Sequence, residues 1–266
     1  MELLIMRLLT LLNSAPPDST FFHIAMVMIT DYNIIKKLSI ADMAARCNVS
    51  KSTLSKFTRE LGFDDYHDLK DSAVPAEKRT VFQLGYVQNI MSVLEQNDYD
   101  SYFSAIIQDI SMLQKIVDTQ AIDRFAKALV QYKKVASFGL MFSESAAIDL
   151  QYKLAYSSKF IYTSQDDRKQ DAYIRSADAD TLIIVFSNSG NFLHQQLLRP
   201  GHPERDTFTH TKAKIFAITA NAAIKDLPYV SDAIVFPHET SLQTHAFLYQ
   251  IIMDMIVTRY RYYTEQ

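Results

Sequence analysis

Thr181-Leu182-Ile183-Ile184-Val185-Phe186-Ser187-Asn188-Ser189-Gly190 is a run of apolar and β-branched residues that breaks into a hydroxyl-rich turn. A strand with one wet face alternates apolar with polar side chains; a strand without alternation is covered on both faces, the condition of a parallel sheet between helices. Residues 135–138, 160–162, 215–218 and 233–236 have the same texture and are separated by stretches with helical spacing. The C-terminal half is therefore predicted to be α/β, closing with a long helix over 241–262.

The turn Ser187-Asn188-Ser189-Gly190 is predicted to lead into a helix at Asn191. Such a turn aims backbone N–H groups and a positive helix end at one point, which suits an anion. Ser187 and Ser189 add hydroxyl donors, and Gly190 lets an anion approach the backbone. Val135-Ala136-Ser137-Phe138-Gly139, followed by Leu140-Met141-Phe142-Ser143, repeats the pattern of strand, turn and helix. Both turns fall at carboxyl ends of parallel strands, where open α/β sheets bind ligands. A serine-rich turn may equally cap a helix and bind nothing, and the residues alone leave both readings open.

The first 75 residues read as helices, with a break at Pro16-Pro17-Asp18. Ser39-Ile40-Ala41-Asp42 has capping-box spacing and opens a helix of about eight residues with Ile40, Met43, Ala44 and Cys47 inward. Asn48-Val49 makes a tight connection, Ser50 caps a second helix, and Gly62 ends it. On that second helix Leu54, Phe57 and Leu61 point inward, while Ser52, Ser55, Lys56 and Arg59 share the opposite face. A short helix, a tight turn and a second helix showing small hydroxyls and cations form the helix-turn-helix arrangement that reads double-stranded DNA.

Charge agrees with this placement. The chain has a net charge of −3, but between Lys36 and Arg59 six cations face the single acid Asp42, a local +5. One cysteine, Cys47, excludes an internal disulfide framework and a cysteine-based zinc finger, and points to a reducing compartment. The apolar opening of the chain carries Glu2 and Arg7, and no stretch reaches the roughly 18 apolar residues of a membrane span. A cytoplasmic protein without membrane contact is expected.

Leu38 to Ala44, Val49-Ser50-Lys51-Ser52-Thr53 and Phe57 to Phe63 together resemble the N-terminal domain of RpiR/MurR-type regulators, and Asp65 to Lys70 fits the segment that follows there. Ser187 to Gly190 and Gly139 to Ser143 resemble the two phosphate-binding loops of the SIS (sugar isomerase) fold, which forms the C-terminal half of RpiR-type proteins. Ala217-Ile218-Thr219 and Ser231-Asp232 fit later landmarks of that fold. Three departures stand out. Met141 occupies the place of the second glycine in G-x-G-x-S, Asn191 and Phe192 replace a polar residue and a hydroxyl after S-x-S-G, and residues 199–214 form an altered connection.

The resemblance implies an α/β two-domain protein: a helix-turn-helix domain over 1–76, a linker and connecting helix over 77–120, and a SIS domain with a parallel sheet flanked by helices over 121–266. It further implies DNA contact by Lys51, Ser52, Thr53, Ser55, Lys56 and Arg59, and a phosphorylated sugar effector at Gly139, Ser143, Ser187, Asn188, Ser189 and Gly190. Pairing into a homo-oligomer, dimer or tetramer, is expected from apolar helices over 106–117 and 247–256. Glu144, His194, His238, Glu239 and His245 are candidates for the base of an isomerase, and no pattern ties them to that chemistry. His202, His210, His238 and His245 lack metal-ligand spacing, so no catalytic residue, metal or cofactor is expected. Two alternatives stay open: an isomerase with a fused helical domain, and a regulator whose α/β half only dimerises.

Overall fold

The computed structural model describes residues 3–73, 85–199, 203–238, 240 and 242–265. Two compact units emerge, residues 1–88 with 198–203, and residues 89–197 with 204–266.

The first unit is helical: α1 (Leu3–Ser14), α2 (Thr20–Thr30), a 3-10 stretch (Tyr32–Lys37), α3 (Ile40–Arg46), α4 (Lys51–Glu60) and α5 (Tyr66–Ser72). Pro16-Pro17 separates α1 from α2, and Ser19 caps α2 by accepting from the Phe22 amide at 3.2 Å. One core joins them, built from Leu4, Leu8, Ile24, Met28, Met43, Leu54, Phe57 and Leu69. Each such side chain, fully buried, contributes about 1.5–3 kcal/mol, enough in sum to hold short helices that would be marginal alone.

The boundary between the units falls within α6 (Gly85–Glu95), and the second unit goes on with α7 (Tyr99–Ile116) and α8 (Thr119–Gln131). It continues through β1 (Lys134–Phe138), α9 (Phe142–Ala155), α10 (Asp167–Ser176), β2 (Thr181–Phe186), β3 (Lys214–Thr219) and β4 (Val230–Val235), and closes with α11 (His245–Thr264). The four strands are parallel in the order β1-β2-β3-β4. The expected strand at 160–162 is reduced to a single bridge, Tyr162 opposite Ala136 on the outer side of β1. The predicted start of the last helix at residue 241 lies outside the described residues.

Every residue of β2 is buried. Leu182, Ile184 and Phe186 face a core completed by α8, α9 and α11, while Ile183 and Val185 face the opposite core with Ile174, Phe192, Phe208 and Ile224. That two-sided cover explains the lack of polar alternation in the sequence.

Counting the Tyr162 bridge as the second strand in chain order, the sheet runs 2-1-3-4-5. The chain reverses direction across the sheet between β1 and β2, and this is the switch point where ligands enter open α/β sheets. The two serine loops follow these two strands.

Candidate functional site

In the first unit the helix pair is built as its local sequence dictates. Ser39 Oγ accepts from the Asp42 amide at 3.2 Å while Asp42 accepts from the Ser39 amide at 3.3 Å. Asn48 makes the turn with φ 52°, a left-handed conformation that asparagine tolerates. Ser50 Oγ then accepts from the Thr53 amide at 3.0 Å. Gly62, at φ 79°, ends α4 with its amide on the Arg59 carbonyl and the Phe63 amide on the Thr58 carbonyl, the paired bonds of a glycine-terminated helix.

Lys51, Ser52, Lys56 and Arg59 are exposed on α4, and Ser55 is half-buried. The Thr53 hydroxyl stands 2.9 Å from Ser50 Oγ and is engaged in the cap. Arg46, counted in the +5 field, is paired with Asp31, so the free cationic face is narrower than the sequence suggests. A cleft of about 410 Å³ sets Ser55 and Arg59 beside Asp64, Asp65 and Lys70.

One determinant of this face was not read from the sequence. Arg7 of α1 is buried and donates to the carbonyls of Leu61 and Gly62 at 3.0 and 2.9 Å, with its guanidinium 5.0 Å from the Phe63 ring centre. A cation there satisfies carbonyls that the helix end leaves open and complements its dipole.

In the second unit the first serine loop turns tightly. A Cβ on Gly139 would stand 2.5 Å from the Ser143 backbone, so a glycine is required there by the loop itself. Met141 has φ 58° and ψ −114°, a conformation natural to glycine and costing a side-chain-bearing residue about 1–3 kcal/mol. The backbone thus holds the shape of a glycine loop although a methionine stands in it. Ser143 is buried, with its hydroxyl 3.2 Å from that of Tyr249 on α11. Glu144, next in the first turn of α9, is 5% exposed; burial pushes its carboxyl up to about 6, against a hydrogen bond with Gln165.

The second loop corrects two expectations. No helix begins at Asn191: one 3-10 turn, Asn191–Leu193, ends at His194, and Gln195 then forms an isolated bridge with Glu204. The helix dipole invoked for this loop is therefore lacking. Phe192, which stands where the family pattern has a hydroxyl, is buried beneath Arg205, whose guanidinium lies 4.0 Å from its ring centre and 4.9 Å from that of Phe208. Arg205 also donates to Asp171 at 2.6 and 3.1 Å and to the Phe192 carbonyl at 2.9 Å. This cation-centred lock holds the sheet face where a helix would have packed.

Gly190 is required by the loop itself. With φ 80°, its hypothetical Cβ would meet Ile224 Cδ1 at 2.3 Å, so conformation and packing both exclude a side chain. Ser187 is buried with its amide on the Ile218 carbonyl at 3.1 Å, and Ser189 is exposed. The Asn188 carbonyl accepts from Ala220 and Thr219, while its side-chain Oδ1 is enclosed without a hydrogen-bond partner.

A third group was missed in its combination. The rings of His238 and His245 are 5.8 Å apart, and those of His245 and Tyr249 are 5.5 Å apart. Burial, followed by the charge of His238, lowers His245 to about 4, so its imidazole is neutral at pH 7. His202 and Glu239 lie outside the described residues, and among the described residues no group of three His, Cys, Asp or Glu side chains has metal-holding geometry. No described helix is long and apolar enough to cross a membrane.

Comparison with known proteins bears on both units. Residues 13–74 match the helix-turn-helix domain model of the rpiR family. The first unit is thus an rpiR-family helix-turn-helix domain. It is similar to an HTH-type transcriptional regulator in the aarA 3′ region of Providencia stuartii, with 26% identity over 234 residues, 84% of this chain and 79% of the relative. It is also similar to the HTH-type transcriptional regulator HexR of Pseudomonas aeruginosa, with 24% identity over 230 residues, 82% of this chain and 77% of that one. Among solved structures, that of the Vibrio vulnificus NanR protein complexed with ManNAc-6P aligns with a TM-score of 0.50 at 14% identity, covering 97% of this chain and 91% of the other. The chain thus has an rpiR-family helix-turn-helix domain followed by an α/β domain whose fold is that of the NanR structure.

Proposed function

We propose that this regulator reads a double-stranded operator with α4 and is controlled by a phosphorylated sugar held between its two serine loops. The observation that carries the reading is topological: Gly139 to Ser143 and Ser187 to Gly190 follow the two strands that flank the sheet's switch point. Ser143, Ser187, Ser189 and the loop amides supply hydroxyl and N–H donors there. Asn188 Oδ1 supplies an unoccupied acceptor. The NanR structure, solved with ManNAc-6P, supports this ligand class for the fold.

On the DNA side, Lys51, Lys56 and Arg59 are suited to phosphates or guanine edges, and Ser52 and Ser55 permit close approach. Thr53 serves the reading through the cap of α4. We further propose that the protein works as a homo-oligomer. Of the apolar surface expected for pairing, Leu248, Ile252 and Ile256 lie inside the core while Phe247 is 40% exposed; on α7, Ile107 within the expected stretch and Phe103 just before it are 63% and 60% exposed, which favours α7 as the larger part of the pairing surface.

A sugar-phosphate isomerase is the second reading, favoured by one observation: buried Glu144, with its carboxyl near 6, stands beside the first loop and could act as a base. Purified protein settles both. Thermal stabilisation by sugar phosphates, lost in Ser187→Ala with Ser189→Ala and accompanied by a change in operator affinity, supports the regulator. Turnover of fructose, ribulose or amino-sugar phosphates without operator binding supports the enzyme.

A further inference from the structure

Asp109 interrupts the inward face of α7 between Ala105 and Leu113, and at 1% exposure it is among the most enclosed acids described. A carboxylate so placed persists only when hydrogen-bonded or paired. Thr240 Oγ1 donates to Asp109 Oδ2 at 2.8 Å and Thr244 Oγ1 donates to the same oxygen. Thr244 is the N-cap residue of α11 yet its side chain caps none of that helix's amides. Its hydroxyl engages Asp109 instead, and the acid complements the positive end of a twenty-residue helix.

His238 Nε2 stands 4.0 Å from the same Asp109 oxygen, too far for a hydrogen bond. The atom is enclosed and has no hydrogen-bond partner, the condition found also for Asn188 Oδ1 in the second loop. Enclosed polar atoms without partners carry a desolvation penalty and call for an explanation. From His238 the side chains run unbroken through His245 and Tyr249 to Ser143 in the first loop. The two open polar atoms thus follow β4 and β2 on the carboxyl edge of the sheet, beside the serine loops.

We propose that His238 and Asn188 hold the uncharged, hydroxyl-bearing body of the ligand, and that Asp109 relays the engagement of His238 to α7. This rests on the phosphosugar reading and assigns the part of the ligand that the serine hydroxyls do not hold. A hydroxyl has one donor and two acceptor sites, so it can serve an imidazole nitrogen and an amide oxygen alike. α7 precedes the sheet in the chain and follows the helix-turn-helix domain, so a displaced Asp109 acts on a helix that stands between the two in chain order. The coupling equals the ligand's difference in affinity for the two arrangements.

The full-length protein is titrated calorimetrically with glucose 6-phosphate, fructose 6-phosphate, ribulose 5-phosphate and N-acetylmannosamine 6-phosphate, and operator binding is followed by fluorescence anisotropy with and without the tightest of them. His238→Phe is expected to melt within about 2 °C of the wild type when unliganded, since it removes an unsatisfied atom and keeps the ring. The same variant is expected to lose about tenfold or more in affinity for the probe. Asp109→Asn and Thr244→Val are expected to keep probe affinity within about threefold while losing most of the probe's effect on operator affinity.

Undiminished probe binding by His238→Phe overturns the contact, and so does a melting temperature far below wild type, which would mark the ring as structural. An intact operator response in both Asp109→Asn and Thr244→Val overturns the relay. Wild-type protein that binds none of the four probes overturns the phosphosugar reading and this assignment with it, a result distinct from either variant failing on a wild type that binds.

Discussion

Replacing Gly190 by alanine separates two reasons for a glycine in the second serine loop. If the residue serves only to admit an anion, Gly190→Ala leaves the unliganded protein as stable as before. The geometry says otherwise: φ is 80° and the new Cβ would press on Ile224 Cδ1 at 2.3 Å and Cγ1 at 2.5 Å. Left-handed backbone costs an alanine about 1–2 kcal/mol, and forcing a methyl against a 2% exposed isoleucine costs about 1–3 kcal/mol more. A gain of about 0.4–1 kcal/mol from the stiffer unfolded chain offsets part of this. The net loss is about 2–4 kcal/mol, a drop of roughly 5–15 °C in the melting temperature.

The assay is a double-mutant cycle by thermal and urea unfolding with Ile224→Ala. In that background the steric part vanishes and Gly190→Ala costs only about 0–1.5 kcal/mol, giving a coupling of about 1–3 kcal/mol between the sites. A Gly190→Ala protein within about 0.5 kcal/mol of wild type, or an equal loss in both backgrounds, would refute the packing argument.

Three further perturbations test other parts of the molecule. Lys56→Ala and Arg59→Ala should each weaken operator binding and reduce the salt slope by about one, whereas Arg46→Ala, its charge already paired with Asp31, should leave the slope nearly unchanged; equal slopes for all three would remove the face assignment. Arg205→Met keeps apolar contact with Phe192 and Phe208 but strands Asp171 and a carbonyl; with Asp171 partly exposed, a loss of about 3 kcal/mol is expected, and wild-type stability in chemical denaturation would show the lock to be ornamental. For Glu144, folding raises the carboxyl from 4.5 to about 6, so the ionised form burdens the fold above that pH and the burden disappears as protons bind. Glu144→Gln should accordingly be more stable than wild type near pH 7.5 by on the order of 1 kcal/mol, with the difference closing toward about pH 4.5; a gap independent of pH would contradict the burial argument.

Local signals carried far along this chain. Ser39, Asp42, Ser50 and Gly62 act through partners within five residues, so spacing alone announces their role, and the uniform apolar run of Thr181–Phe186 declares a strand covered on both sides. What spacing cannot announce is a pairing across long sequence separation. Arg205 reaches Asp171 thirty-four residues away, and no periodicity marks that Phe192 is its seat rather than the first residues of a helix. The prolines and glycine of 200–203 did hint that a helix could not extend there. Asp109 was legible in part: an acid set within Ile106, Ile110 and Leu113 breaks an apolar stripe, but its threonine partners lie more than 130 residues on. The serine loops were placed at the right strand ends, yet the sequence showed neither that the Ser143 hydroxyl meets Tyr249 nor that Gly190 is hemmed in by Ile224.

Arg7 bears on how the reading head may be dissected. The family match begins at residue 13, and a fragment trimmed to that boundary would retain every residue of the helix pair. It would also strip two backbone carbonyls of their cationic donor at the carboxyl end of α4, leaving the tip of the reading helix free to fray. The smallest fragment that keeps this helix-turn-helix domain whole therefore starts ahead of its recognisable motif, and any tag, fusion or truncation should spare the opening helix.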